Sequence, residues 1–192
     1  MALLAENPAV FAAAAFLCGL AIGSFLNVVI HRLPLILERK WRAQTADFEG
    51  RPAPAESERY DLIWPRSRCP VCAAPIRAIH NIPVLSYLML RGRCASCGAP
   101  ISARYPAVEL ATAVVTAAVA WHFGFGVQAA LAMIFSWYLI SLTGVDVDRQ
   151  LLPDVLTLPL LWIALIASLW HVEGAEFPPV AQRDALIGAA AG

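Results

Sequence analysis

Four of the chain's five cysteines stand in two pairs, Cys69-Pro-Val-Cys72 and Cys94-Ala-Ser-Cys97. The pattern is C-x2-C, 21 residues, C-x2-C. Tetrahedral zinc takes four soft ligands, and a two-residue gap lets one tight turn deliver two thiolates at about 2.3 Å from the metal. Two such turns close the site, so the spacing predicts zinc held by Cys69, Cys72, Cys94 and Cys97. The separation is one residue beyond the usual window of about 15–20. Four thiolates leave no open position for water or substrate, which makes the metal structural rather than catalytic. Its work would be to order a loop with too little apolar sequence to fold alone. The competing reading is two disulfides or four loose thiols, and a cytoplasmic location argues against the disulfides. His80, between the pairs, reads as an ordinary polar residue, and Cys18, inside an apolar run, as packing.

A second group of chemically active residues lies in GVDVDRQLLPD, Gly144 to Asp154, where three carboxylates and an arginine separate two apolar runs. Asp154, just after Pro153, has the position of a helix cap. Asp146 ends an uncharged run of 36 residues, Leu110 to Val145. That puts its carboxylate at or just inside a membrane interface, where ionisable groups are costly and are functional suspects by default. Asp146 and Asp148 are two apart, so on a helix they point to different sides and are poorly placed to act as a pair. An aspartic-protease arrangement needs two carboxylates sharing a proton, one activating water and the other polarising the peptide carbonyl. The sequence offers no clear second member, and Glu109, near the start of the preceding span, is a candidate on the same side.

The elements that must position these groups are apolar helices. The chain of 192 residues is 59% hydrophobic and 15% charged, whereas soluble domains are nearer half and a quarter. A bilayer span needs about 20 mostly apolar residues. Spans are expected at about Val10–Ile30, Pro106–Trp121, Val127–Val145 and Val155–Trp170, with another apolar run beginning at Ala185. The link HFGFG, with two glycines, reads as a tight turn between the second and third spans. Of 14 Lys and Arg residues, 12 lie between His31 and Arg104, against six acids. A basic loop could bind nucleic acid, but the positive-inside rule accounts for it, so the expected partner is the lipid bilayer and no nucleic acid. Arg32, Arg39, Lys40 and Arg42, close behind the first span, put the loop in the cytoplasm. The first span has no positive segment before it and exceeds the 7–15-residue apolar core of a signal peptide, so it reads as a retained anchor. Counting crossings from an outside N-terminus brings Asp146, Asp148 and Asp154 to the cytoplasmic end of the third span. Trp121, Trp137, Trp162 and Trp170 read as interfacial anchors.

The expected fold class is therefore an all-α polytopic membrane protein: a helical transmembrane bundle with a cytoplasmic zinc-knuckle loop. The expected domains are a first span over 1–30, a zinc-binding loop over 31–104, and part of a transmembrane bundle over 105–192.

Four motifs in order, GSFLNVVIHRLP (Gly23–Pro34), the two C-x2-C pairs, RYPAVELATA (Arg104–Ala113) and DVDRQLLPD (Asp146–Asp154), resemble the type IV prepilin peptidase family over nearly the whole chain. The resemblance implies an aspartic endopeptidase of the bacterial inner membrane. Its substrates would be type IV prepilins and the pseudopilins of type II secretion, whose leaders are cut after a glycine at the cytoplasmic face. It implies N-methylation of the new N-terminus with S-adenosylmethionine as donor, and it places the first catalytic aspartate on Asp146. The family's second catalytic aspartate lies in a G-x-G-D motif, which does not occur in this sequence. The chain thus reads as C-terminally truncated and inactive alone. No Gly-rich nucleotide loop marks a donor site. Two other classes compete. One is a non-enzymatic membrane scaffold with the zinc loop as a docking module. The other is a proton-coupled transporter, which the clustering of acids at one face argues against. A zinc metalloprotease is disfavoured, since no H-E-x-x-H occurs.

Overall fold

A computed structural model describes residues 5–52, 59–76, 82–169 and 181–191. His80, Trp170 and most of the loop that follows lie outside them. The described helices are α1 (Pro8–Phe48), α2 (Leu85–Met89), α3 (Arg104–Phe123), α4 (Val127–Arg149), α5 (Asp154–Ser168) and α6 (Gln182–Ala191). Pairing between extended segments is confined, among the described residues, to two isolated bridges, Arg68 with Pro75 and Arg93 with Pro100. The molecule is all-α, and α1, α3 and α4 are long and apolar enough to cross a membrane.

Asn7 starts α1. Its side-chain oxygen accepts the N–H groups of Ala9 and Val10 at 3.2 and 3.3 Å, and Pro8 takes the first helical position, where its missing N–H costs nothing. The apolar run ends at Ile30, but the helix continues to Phe48. Its polar extension, over residues 31–48, adds roughly 27 Å at 1.5 Å per residue, and Glu38 and Arg42 pair across one turn of it at 3.8 Å. The described α5 has 15 residues, fewer than the roughly 20 of a full span.

The chain groups into two compact units, residues 20–112 and residues 1–19 with 113–192, and the divisions fall inside α1 and α3 rather than at their ends. In the second unit α1 and α3 approach closely at Gly19, where an added Cβ would lie 2.6 Å from the Cα of Ala113. Without a hydrophobic drive between helices in lipid, such small-residue contacts and interhelical hydrogen bonds hold them together. Accordingly Ala113, Thr116, Ala120 and Ala129 are fully buried, and the Trp137 ring N–H donates to the Thr116 hydroxyl at 2.9 Å. Trp137 is therefore an interhelical tie, while Trp121 and Trp162 are exposed, as anchors would be. The expected turn after α3 forms at Gly124, whose φ of +68° suits glycine. α5 packs on α4 and on α6.

In the unit 20–112 the same device recurs one turn later. A Cβ at Gly23 would lie 2.7 Å from the Cα of Glu109. Four residues on, buried Asn27 donates its amide to the Tyr105 carbonyl at 3.0 Å, fastening α1 to the first turn of α3. The GSFLN and RYPAVE motifs thus meet each other.

Candidate functional site

The two cysteine pairs belong to one repeated nonapeptide, offset by 25 residues: RCPVCAAPI (Arg68–Ile76) and RCASCGAPI (Arg93–Ile101). Each copy makes the same bonds. The Cys69 and Cys94 N–H groups reach the carbonyls of Ala74 and Ala99 at 3.0 and 2.8 Å. The Ala73 and Gly98 N–H groups return to the Cys69 and Cys94 carbonyls, each at 2.9 Å. Ile76 and Ile101 then close the loops onto the carbonyls of Ser67 and Gly92. Such turns need a left-handed residue after the second cysteine, and Ala73 and Gly98 supply it with φ of 55° and 70°.

These turns bring four sulfurs together. All four Sγ atoms lie within 4.8 Å of one another, and Cys69 and Cys97 are 3.9 Å apart. A tetrahedron with metal–sulfur distances of about 2.3 Å has edges of about 3.8 Å, so the residues fit a four-thiolate metal site. The donor chemistry agrees. Backbone N–H groups of Cys97 and Ser96 bring the Cys94 thiol down to about 6, and those of Cys72 and Val71 lower Cys69. Cys97 receives the Ala99 N–H, but Cys72, burial and the other sulfurs outweigh it and push this thiol up to about 11. Four thiolates crowded together cannot all stay ionised unless a cation joins them. The group can hold a metal ion, as the spacing predicts.

The surroundings tie this unit to α1. Arg32 donates to the carbonyls of Asp61 and Pro65 at 3.0 and 2.7 Å. Asp61 shapes the same turn by accepting the N–H groups of Ile63 and Trp64 at 2.8 and 2.6 Å. Those bonds hold its carboxyl below the usual range, with Arg59 adding to the effect. Tyr60 lies under the Arg39 guanidinium at 4.2 Å. Spacing alone did not reveal these roles for Asn27, Arg32 and Asp61. The signals the sequence carries are the motif GSFLNVVIHRLP around Asn27 and Arg32 and the nonapeptide repeat.

The acids after Gly144 divide between the end of α4 and the start of α5. Asp146 and Asp148 lie on the last turn of α4, both exposed, while Val145 between Gly144 and Asp146 is fully buried. Neither carboxylate faces the interior. The helix stops at Gln150, which is left-handed at φ 51° and donates its N–H to the Asp146 carbonyl at 2.7 Å. Two acids here oppose the negative end of the helix dipole, a local cost of about 0.3–1 kcal/mol each. Arg149 alone has the favourable sign. Asp154 does not cap α5, since Pro153 holds the capping position and no side-chain cap bond forms. Asp154 is the first helical residue, where its charge suits the dipole.

Glu109 has another use. It is buried, and its Oε2 accepts the Val84 N–H at 2.7 Å. That backbone has φ of 58° immediately before α2. Glu109 therefore braces the segment following the first cysteine turn, inside the unit 20–112.

The profile of the Bacterial Peptidase A24 N-terminal domain matches residues 17–123, which include the repeat, Asn27, Arg32 and Glu109. The chain belongs to the bacterial A24 peptidase family. The profile of the Type IV leader peptidase family matches residues 133–192, which include Asp146, Asp148 and Asp154. Proteins named prepilin leader peptidase/N-methyltransferase are similar along most of the chain. That of Stutzerimonas stutzeri is 47% identical over 98% of this chain and 63% of its own length. That of Pseudomonas aeruginosa is 47% identical over 86% of this chain and 57% of its own. That of Aeromonas hydrophila is 50% identical over 100% of this chain and 66% of its own. The chain thus spans roughly three fifths of the length of these curated relatives. No solved structure matches it.

Proposed function

We propose that the protein carrying this chain is a prepilin leader peptidase and N-methyltransferase of the bacterial cytoplasmic membrane. The observation that carries the proposal is Asp146, an acid held at the end of an apolar helix against the helix dipole, within the segment that matches the leader peptidase family. In this reading the Asp146 carboxylate accepts a proton from the attacking water, and a second carboxylate polarises the scissile carbonyl. The partner acid is not assigned to Glu109, whose oxygen is engaged by the Val84 N–H. Asp146 and the cysteine unit face the cytoplasm, where the basic residues following the first span favour that side. The metal is zinc, bound by Cys69, Cys72, Cys94 and Cys97 and structural in role. When bound, it supplies a fixed charge that joins the two turns. The freed N-terminus is methylated with S-adenosylmethionine as donor, as the relatives' name implies. The substrates are type IV prepilins and type II pseudopilins.

The test joins this chain to the C-terminal remainder of the Stutzerimonas relative, in cells lacking their own prepilin peptidase. Asp146→Asn is expected to cut leader removal roughly a thousandfold while the metal content stays unchanged. Leader removal at the parental rate by that variant would refute the assignment.

A further inference from the structure

Arg32 marks a depth. It is the second residue after the apolar run of α1 ends at Ile30, only about 3 Å further along the axis. Its guanidinium holds the carbonyls of Asp61 and Pro65 at 3.0 and 2.7 Å. The headgroup layer on each side of a bilayer is roughly 5–8 Å thick. With α1 crossing a membrane, the turn Asp61–Pro65 is therefore tied at the level of that layer.

What this turn carries suits lipid. Ile63 is 82% exposed and Trp64 53% exposed, side by side at the tip of a turn whose shape Asp61 fixes. Around Trp64 runs an open groove of about 410 Å³, lined by Arg59, Trp64, Pro65, Arg66, Arg68 and Pro75. Arg59 pairs with Asp61 at 2.6 Å. Among the described residues neither Arg66 nor Arg68 makes an ion pair, and both are exposed. A larger groove along the end of α1, of about 600 Å³, does not share this character. Its cations are compensated, Arg42 by Glu38 and Arg51 by Glu49.

We propose that the Asp61–Pro65 turn docks on the bilayer surface from which α1 emerges, with Ile63 and Trp64 at the headgroup–acyl boundary and an anionic phospholipid headgroup between Arg66 and Arg68. An amphipathic Trp beside cations is the composition that binds this boundary. The inference rests on α1 spanning the bilayer and not on the peptidase reading. It gives the metal unit a second attachment to the membrane, independent of its helices.

The test places the whole chain in nanodiscs. Bromine-labelled phosphatidylglycerol or bromine-labelled phosphatidylcholine is added at equal mole fraction, and the quenching lost in Trp64→Phe isolates Trp64. Quenching by both lipids is expected, with phosphatidylglycerol favoured several-fold. Arg66→Gln is expected to lower that preference to roughly half, and Arg66→Gln with Arg68→Gln to abolish it. Because Arg68 adjoins Cys69, the single Arg66 variant is read independently, with metal content as the folding control. Absence of Trp64 quenching by either lipid would overturn the docking. Equal quenching by the two lipids would overturn the headgroup site.

Discussion

At the cysteine cluster each ligand pair arrives on its own tight turn, fastened by bonds within nine residues, so the chemistry is assembled locally and then brought together. At the end of α4 the carboxylates arrive on the last turn of a helix, and under the proposed peptidase reading Asp146 would need a second carboxylate from outside that turn. The contrast shows why the two regions tolerate change differently. The metal group is a cooperative set in which each member depends on three others. Asp146 costs local stability where it stands, so its removal should leave the helix intact and, under the proposed reading, take only the chemistry.

The largest effect separating the regions is expected from Cys94→Ser. It leaves three ligands, and structural metal supplies folding energy directly. Metal content should fall from one per chain to near zero, measured by atomic emission on purified protein, with proteolysis appearing between residues 59 and 103. Chelation of the unaltered chain should reproduce the cleavage pattern. Asp146→Asn should do neither, and metal loss in that variant would erase the distinction between the regions.

A smaller effect comes from within the repeat. Gly98 and Ala73 hold equivalent left-handed positions, and a Cβ at Gly98 would meet nothing within 4 Å. Gly98→Ala should therefore weaken metal binding through backbone conformation alone, by about 1–2 kcal/mol. Ala73→Gly should have the opposite sign and a smaller size, about 0.5–1 kcal/mol, because glycine also loses more chain entropy on folding. Competition with a chromophoric chelator measures both. Equal responses to the two changes would mean that the turns are not equivalent.

How much was legible follows from the same contrast. The cysteine spacing exposes its purpose because a metal knuckle is local. The span positions of α1, α3 and α4 are legible because twenty apolar residues have few alternatives. The extension of α1 past Ile30 was not, since its charges mark the end of the apolar run but not of the helix. Asp154 reads as a cap, yet the neighbouring Pro153 takes that position. Glu109 reads as a possible second acid because it shares a membrane side with Asp146, and only the fold reveals its bond to Val84. Arg32 reads as a topology marker, and its two carbonyl partners 29 and 33 residues away could not be inferred from charge.

The proposed peptidase role requires the carboxylate end of α4 to open to the cytoplasm, where a prepilin leader would be held. Sidedness is measured by fusing either green fluorescent protein or alkaline phosphatase after Gln150. A fluorescent first fusion and an inactive second one are predicted. An active phosphatase with a dark fluorescent protein would place Asp146 on the outer face and contradict the account.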